Sequence, residues 1–258
     1  MATVTDAGPW VSALRASHDR LSAIVAGLDA DGLRAQSYDT EWTIADVLSH
    51  LGSGAEIFSL SLEAGLAGAE PPTMADFQPI WDKWNALSPE EQAERSVAVN
   101  EALISRVESL TPAERAAFSV TMFGGLTLDL AGFLGMRLSE HAVHGWDVAV
   151  ALDPAARIAP EAVGLLAVGL PRFVGFIGKQ QEEPSVIAVA TTDPAMTFTL
   201  DTAGVTLTPG STGAKASLAL PAEAFVRLVY GRRLDQDEAA TVADGVTGTE
   251  LAAVFPGF

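Results

Sequence analysis

The chain contains no cysteine. That single absence excludes a disulfide framework, a thiolate metal site and a cysteine nucleophile, so any thiol chemistry must be brought in by a bound co-substrate. Lysine is almost as scarce: Lys83, Lys179 and Lys215 are the only three in 258 residues, and the formal net charge is −18. Nucleic acid and anionic membrane both call for a cationic face, so neither is expected as a partner, and the acidity serves solubility. The opening MATVTDAGPW has no positive region ahead of an apolar run, so no secretory signal is visible and a cytoplasmic protein is expected. Long hydrophobic runs are missing too. The most apolar segment, residues 162–178, is broken by Pro171 and Arg172 and rich in glycine, which suits a buried helix better than a bilayer span.

Histidine occurs at four positions only, His18, His50, His141 and His144. Two of them fall in residues 127–152, TLDLAGFLGMRLSEHAVHGWDVAVAL, the stretch around which the chain is organised. At helical spacing Leu126, Leu130, Phe133, Arg137, Glu140, His144 and Val148 form one stripe. It is apolar at both ends and carries a guanidinium, a carboxylate and an imidazole in its middle. Burying such groups unpaired is expensive, roughly 2–7 kcal/mol even for a neutral polar group, so something must compensate them. Glu140 and His144 are i, i+4 and project from adjacent turns of one face, the arrangement by which two side chains of one helix grip a metal. The same spacing also fits a surface ion pair or a core histidine satisfied by a neighbour. A third ligand has His18, His50 and His141 to come from, and His141, about 100° around the helix from Glu140, is expected to be a core or rim residue instead.

With 258 residues the chain is long enough for two domains. Residues 11–28 read as a helix through Val11, Leu14, Leu21, Ile24, Val25 and Leu28, with His18 on it and LDADG as its exit. Thr43 followed by Asp46, with Trp42 at the staple position, opens a second helix through Ile44, Val47, Leu48, Leu51, Ala55, Phe58 and Leu62. His50 sits on the shoulder of that stripe, and Gly54 one turn on leaves room beside the imidazole. Residues 65–73 read as a link, and Phe77, Ile80, Trp81 and Trp84 as a short aromatic segment of core, interface or pocket wall. Ser88-Pro89-Glu90-Glu91 starts a helix to about residue 110, and Thr111-Pro112-Ala113-Glu114 starts a shorter one. Met122-Phe123-Gly124-Gly125 then turns the chain into the central stretch. Four principal helices with no convincing strand make the first 152 residues a helical bundle.

His50 within WTIADVLSHL, and Arg137, Glu140, His144 and Asp147 within RLSEHAVHGWD, resemble the metal-binding bundle of the mycothiol-dependent maleylpyruvate isomerases of the DinB/YfiT-like superfamily. The resemblance implies that His50, Glu140 and His144 hold a divalent metal, zinc first, although histidine and carboxylate donors also accept nickel, cobalt or iron. Two imidazoles and a carboxylate leave positions open for water or substrate, as catalytic sites do. Arg137 is then available to orient the carboxylate or a substrate anion, and Asp147 either to steady His144 or to cap the helix surface.

After Asp153-Pro154 the composition changes. A helix over 160–178 precedes β-branched alternation in SVIAVA (185–190), MTFTL (196–200), VTLT (205–208) and ASLAL (216–220), separated by turn signals at Asp193-Pro194, Ala203-Gly204 and Pro209-Gly210. An antiparallel meander is expected, then a helix over 221–230 ending at Gly231 and a last short helix from near Thr249. This part resembles the sterol-carrier-like C-terminal domain of the same family. The expected architecture is thus a DinB-like four-helix bundle, residues 1–155, followed by a small antiparallel α+β domain, residues 156–258. Tyr230-Gly231-Arg232 matches a Gly-Arg that the family uses at its active site, so Arg232 is expected to reach across from the second domain and act beside Arg137 over the metal. Arg233 follows directly and suits the same role, and a solvated arginine pair at a helix end is also consistent.

The function implied is that of a metal-dependent enzyme in which mycothiol or a similar small thiol isomerises or is conjugated to a small electrophile. A metal-dependent hydrolase, or a non-catalytic small-molecule binder with a structural metal, are the alternatives. The family's known substrate is a dianion, whereas so acidic a chain favours a less charged electrophile. The expected partners are the thiol and the electrophile, and the protein is expected as a monomer or homodimer.

Overall fold

The computed structural model describes residues 6–122 and 125–257. They form two compact units that divide between Arg157 and Ile158. The first is helical. Helix α1 (Gly8–Val25) begins with proline in its first turn, where the missing N–H costs nothing. A single turn, α2 (Ala30–Leu33), is capped by Asp29. Helix α3 (Ile44–Ala67) opens on the expected capping box, with the Asp46 carboxylate accepting the Thr43 N–H at 2.9 Å while Thr43 Oγ1 accepts the Asp46 N–H. Helices α4 (Met74–Asn85), α5 (Pro89–Glu108) and α6 (Pro112–Ala117) follow, the last two capped by Ser88 and Thr111 in the same way. Helix α7 (Leu130–Leu152) starts at Asp129, whose side chain accepts the Gly132 N–H at 2.9 Å.

Two sequence expectations are corrected in this unit. The bundle does contain strands: β1 (Val120–Met122) pairs antiparallel with β2 (Leu126–Leu128), Thr121 opposite Thr127. Leu126 and Thr127 therefore belong to a strand, because Asp129 stops the helix from extending backward and Leu-Thr-Leu has the period of two. The predicted turn at Phe123 and Gly124 lies outside the described residues. The second correction is that α3 continues through Gly65, where an added Cβ would come within 2.7 Å of the Phe118 ring. There glycine serves a close approach instead of ending the helix.

The core of this unit forms where α3 packs on α5 and α1 on α7. Ile44, Val47, Leu48, Leu51, Leu62, Phe133 and Val148 are completely buried in it. From α4 it receives Phe77 and Trp84, the latter lying so close to Gly52 that a Cβ there would meet the indole at 2.1 Å. Those two aromatics are core; Ile80 and Trp81 are half buried.

The second unit contains α8 (Pro160–Ile177), β3 (Val186–Thr192), β4 (Met196–Asp201), β5 (Thr206–Pro209), β6 (Ala216–Pro221), α9 (Ala222–Val229), α10 (Asp235–Glu238), β7 (Val242–Asp244) and α11 (Gly248–Val254). Its sheet runs in the order β5-β4-β3-β6-β7. The antiparallel meander holds for β3, β4 and β5 but not for β6, which pairs parallel with β3, Val189 opposite Leu218. The sheet is therefore mixed. Crossing to the far side of β3 makes that strand central and buries Ile187 and Val189 on one face. Strand β7, unforeseen, adds antiparallel to β6 as an exposed edge too short to carry a periodic signal. Helix α8 is long and apolar enough to cross a membrane. One face of it, from Ala162 to Val174, is buried, and the helix packs against β5 and α9.

Candidate metal centre

The capping box at Thr43 sets where α3 begins, and with it the outlook of His50 two turns on; Asp129 does the same for Glu140 and His144 on α7. Helices α3 and α7 pack together, so residues ninety positions apart meet. His50 Nε2–H donates to Glu140 Oε2 at 2.9 Å, and His144 Nε2 lies 3.8 Å from the same oxygen. One donor atom from each of the three residues falls within 4.8 Å of the others. Metal–ligand bonds of 2.0–2.2 Å in a tetrahedron separate donors by about 3.3 Å, so the three groups could hold a divalent metal. Nitrogen, nitrogen and carboxylate oxygen form a donor set that suits zinc and its neighbours.

Electrostatics agree with the geometry. Burial alone raises the Glu140 carboxyl, but the hydrogen bond from His50, the charges of the two imidazoles when they are protonated, and the charge of Arg137 bring it down to about 2. It is a carboxylate at neutral pH. The Nδ1–H of His144 donates to Asp147 Oδ2 at 2.9 Å, and Asp147 is completely buried. That bond selects the tautomer whose Nε2 lone pair is left available to a metal. Of its two expected roles, Asp147 thus takes the one that steadies His144.

Arg137 is on the predicted face and almost wholly buried. Its Nη2 donates to the Leu51 carbonyl at 2.8 Å and to Asn100 Oδ1, its guanidinium lies 5.4 Å over the Phe58 ring, and its Nε has no partner. Toward Glu140 it acts through space, with no ion pair between them, and burial pulls its own pKa down to about 10. The room at Gly54, read from the sequence as space beside the His50 imidazole, is filled by this guanidinium: a Cβ there would lie 3.0 Å from Nη1.

His18 and His141 do not join the centre. His141 faces α1, with Ser17 Oγ 3.0 Å from Nδ1 and Nε2 buried without a partner, and the ring stays neutral because burial holds its pKa well below the usual value. His18 packs edge-on to it and lies 3.3 Å from a Glu101 oxygen. In the second unit, Gly231 adopts φ +76 at the end of α9 and backs onto Gly257, a turn that buries Arg232 and leaves Arg233 exposed. Arg232 Nη1 donates to the Tyr230 carbonyl at 2.7 Å.

A family model described as the mycothiol maleylpyruvate isomerase N-terminal domain matches residues 14–149. The chain belongs to this family. Among solved structures the mycothiol-dependent maleylpyruvate isomerase is similar with a TM-score of 0.70 at 15% identity, over 95% of this chain and 96% of that one. A histidine-to-alanine mutant of that isomerase is similar to the same extent, with a TM-score of 0.70 at 14% identity. At such identities the likeness is one of fold. No curated protein matches the chain.

Two residues beside this cluster escaped the sequence. Asn100, on α5, anchors Arg137 and donates to the Ser96 carbonyl at 2.8 Å; its signal was a polar residue on a buried helix face. Trp42, taken only for a staple, packs against the imidazoles of both His50 and His144.

Proposed function

We propose that this protein is a metal-dependent enzyme that uses an external low-molecular-weight thiol of the mycothiol kind to isomerise a small electrophile or to become attached to it. The observation that carries the proposal is the cluster of His50, Glu140 and His144, one donor atom of each lying within 4.8 Å of the others. It occurs in a chain without a thiol of its own. A divalent metal bound there, most simply zinc, supplies Lewis acidity that lowers the pKa of a small thiol and leaves further coordination positions open. Glu140 contributes the negative charge of the ligand set, and His144 presents Nε2 because Asp147 holds its other nitrogen. Arg137 lends positive potential to Glu140 from its buried seat without entering the site. To Arg232 we assign the partner of the anionic charge that develops on the substrate, with Arg233 as the competing candidate.

In the isomerase form the thiolate adds to a conjugated cis double bond, the electron pair moves onto the adjoining carbonyl, the bond rotates, and expulsion of the thiolate returns the trans product. In the transferase form the adduct is protonated and kept. The acidity of the chain favours an electrophile carrying less charge than a dianion. A cytoplasmic location suits a protein that depends on a small intracellular thiol.

A second reading, a binder with a structural metal, is favoured by one observation. A cavity of about 660 Å³ in the second unit is lined by Leu218, Leu220, Leu228 and Leu251, with Arg233 and Asp235 also on its wall. Incubating the metal-loaded protein with activated alkenes and epoxides, with and without mycothiol, separates the possibilities. Turnover only with the thiol is expected. Turnover without it identifies a metal-dependent hydrolase, and none with either identifies a binder. In the same assay Arg232→Met should lower the rate on the order of 10²- to 10³-fold with metal content unchanged, and Arg233→Met should not.

A further inference from the structure

We infer that Trp42 is the positioning residue for His50 in the metal centre, an assignment that rests on the metal-binding reading above. The indole centroid is 5.2 Å from that of His50 at an interplanar angle of 45°, and 5.9 Å from that of His144 at 25°. The two imidazoles meet edge-on at 4.6 Å, so the three rings form one cluster.

The two histidines are not held alike. His144 has the buried Asp147 carboxylate behind its Nδ1. Such outer partners fix the ring of a metal-bound histidine, and most ligating histidines have one. His50 does not: among the described residues its side chain makes one hydrogen bond, from Nε2 to Glu140 Oε2, and it is 38% exposed. Those are the two atoms that a metal takes as donors. The hydrogen bond between His50 and Glu140 is therefore one that metal binding replaces, and the ring packing is what persists.

Trp42 is built to provide that packing. Its side chain lies against the core cluster that includes Leu21, Leu33, Ile44 and Leu48. Its carbonyl is held by the Ser37 N–H at 3.0 Å and by Gln36 Nε2 at 2.6 Å. Turning the His50 ring to exchange Nδ1 for Nε2 would sweep it against the indole face. The wall thus limits the ring to the orientation that ligates, and the cost of ordering an exposed side chain is met before the metal arrives.

Titration with cobalt(II), followed by its d–d absorption, tests the assignment on the wild type, Trp42→Phe and Trp42→Leu, with thermal unfolding of each in parallel. Trp42→Leu should weaken cobalt binding by about 10-fold or more, the range typical of lost outer partners, and change the d–d bands at saturation. Trp42→Phe, which keeps a flat ring, should retain most of the affinity. A lowered melting temperature with unchanged affinity and unchanged bands overturns the assignment, since it reduces Trp42 to core packing. Affinity equal in all three proteins overturns it as well. A wild-type chain that binds no cobalt overturns the metal reading first and this inference with it.

Discussion

Asp147 and His18 show what individual buried residues do on the two sides of α7. Asp147 is completely buried and accepts from His144 at 2.9 Å, so replacing it frees the imidazole to change tautomer and plane. Asp147→Ala is expected to weaken metal binding about 10- to 100-fold in a competition titration against a chelator, with all three ligands still present. His18 is also buried, and burial is the main reason its pKa is lowered, only partly offset by Glu101. The folded chain therefore holds this ring neutral while the unfolded chain protonates it near the ordinary value of 6.5. Stability from His18 is present above that pH and is lost as the pH falls below it. Melting curves between pH 7.5 and 5 should thus decline more steeply for the wild type than for His18→Gln. At this scale the sequence made Glu140 and His144 legible, because i, i+4 spacing is local. It left the third member of the cluster open among His18, His50 and His141, since only the packing of α3 on α7 decides which histidine arrives; His50 came from the family resemblance. Trp42 and Asn100 were illegible as site residues for the same reason.

Elements were legible where a side chain acts on its own backbone. The boxes at Thr43, Ser88 and Thr111 mark their helices because the bonds are made within four residues. The β1–β2 hairpin and the parallel partner of β3 were not, since three-residue strands carry little period and the choice between β3 and β5 as neighbour of β6 is tertiary. Gly52 illustrates the same limit: nothing local explains a glycine in mid-helix, but the Trp84 ring, within 2.1 Å of where a Cβ would sit, does. Gly52→Ala should force α3 and α4 apart and destabilise the protein by about 1–3 kcal/mol, measured by urea unfolding.

On the scale of the whole molecule, the chain carries a charge of −18 and keeps its few cations in particular posts. Arg137 is bound to Leu51 and Asn100 on the α7 face that carries Glu140 and His144, and Arg227 is enclosed by Glu223 and Asp237 in the second unit. Both of these buried guanidiniums have structural partners, and Arg232, the third, donates to the Tyr230 carbonyl. The proposed function requires one divalent ion bound by α3 and α7 together. Elemental analysis of the purified wild type beside His50→Ala, Glu140→Ala and His144→Ala tests this most directly. One equivalent of metal in the wild type and a large loss in each variant is predicted; equal metal content in all four proteins would contradict it.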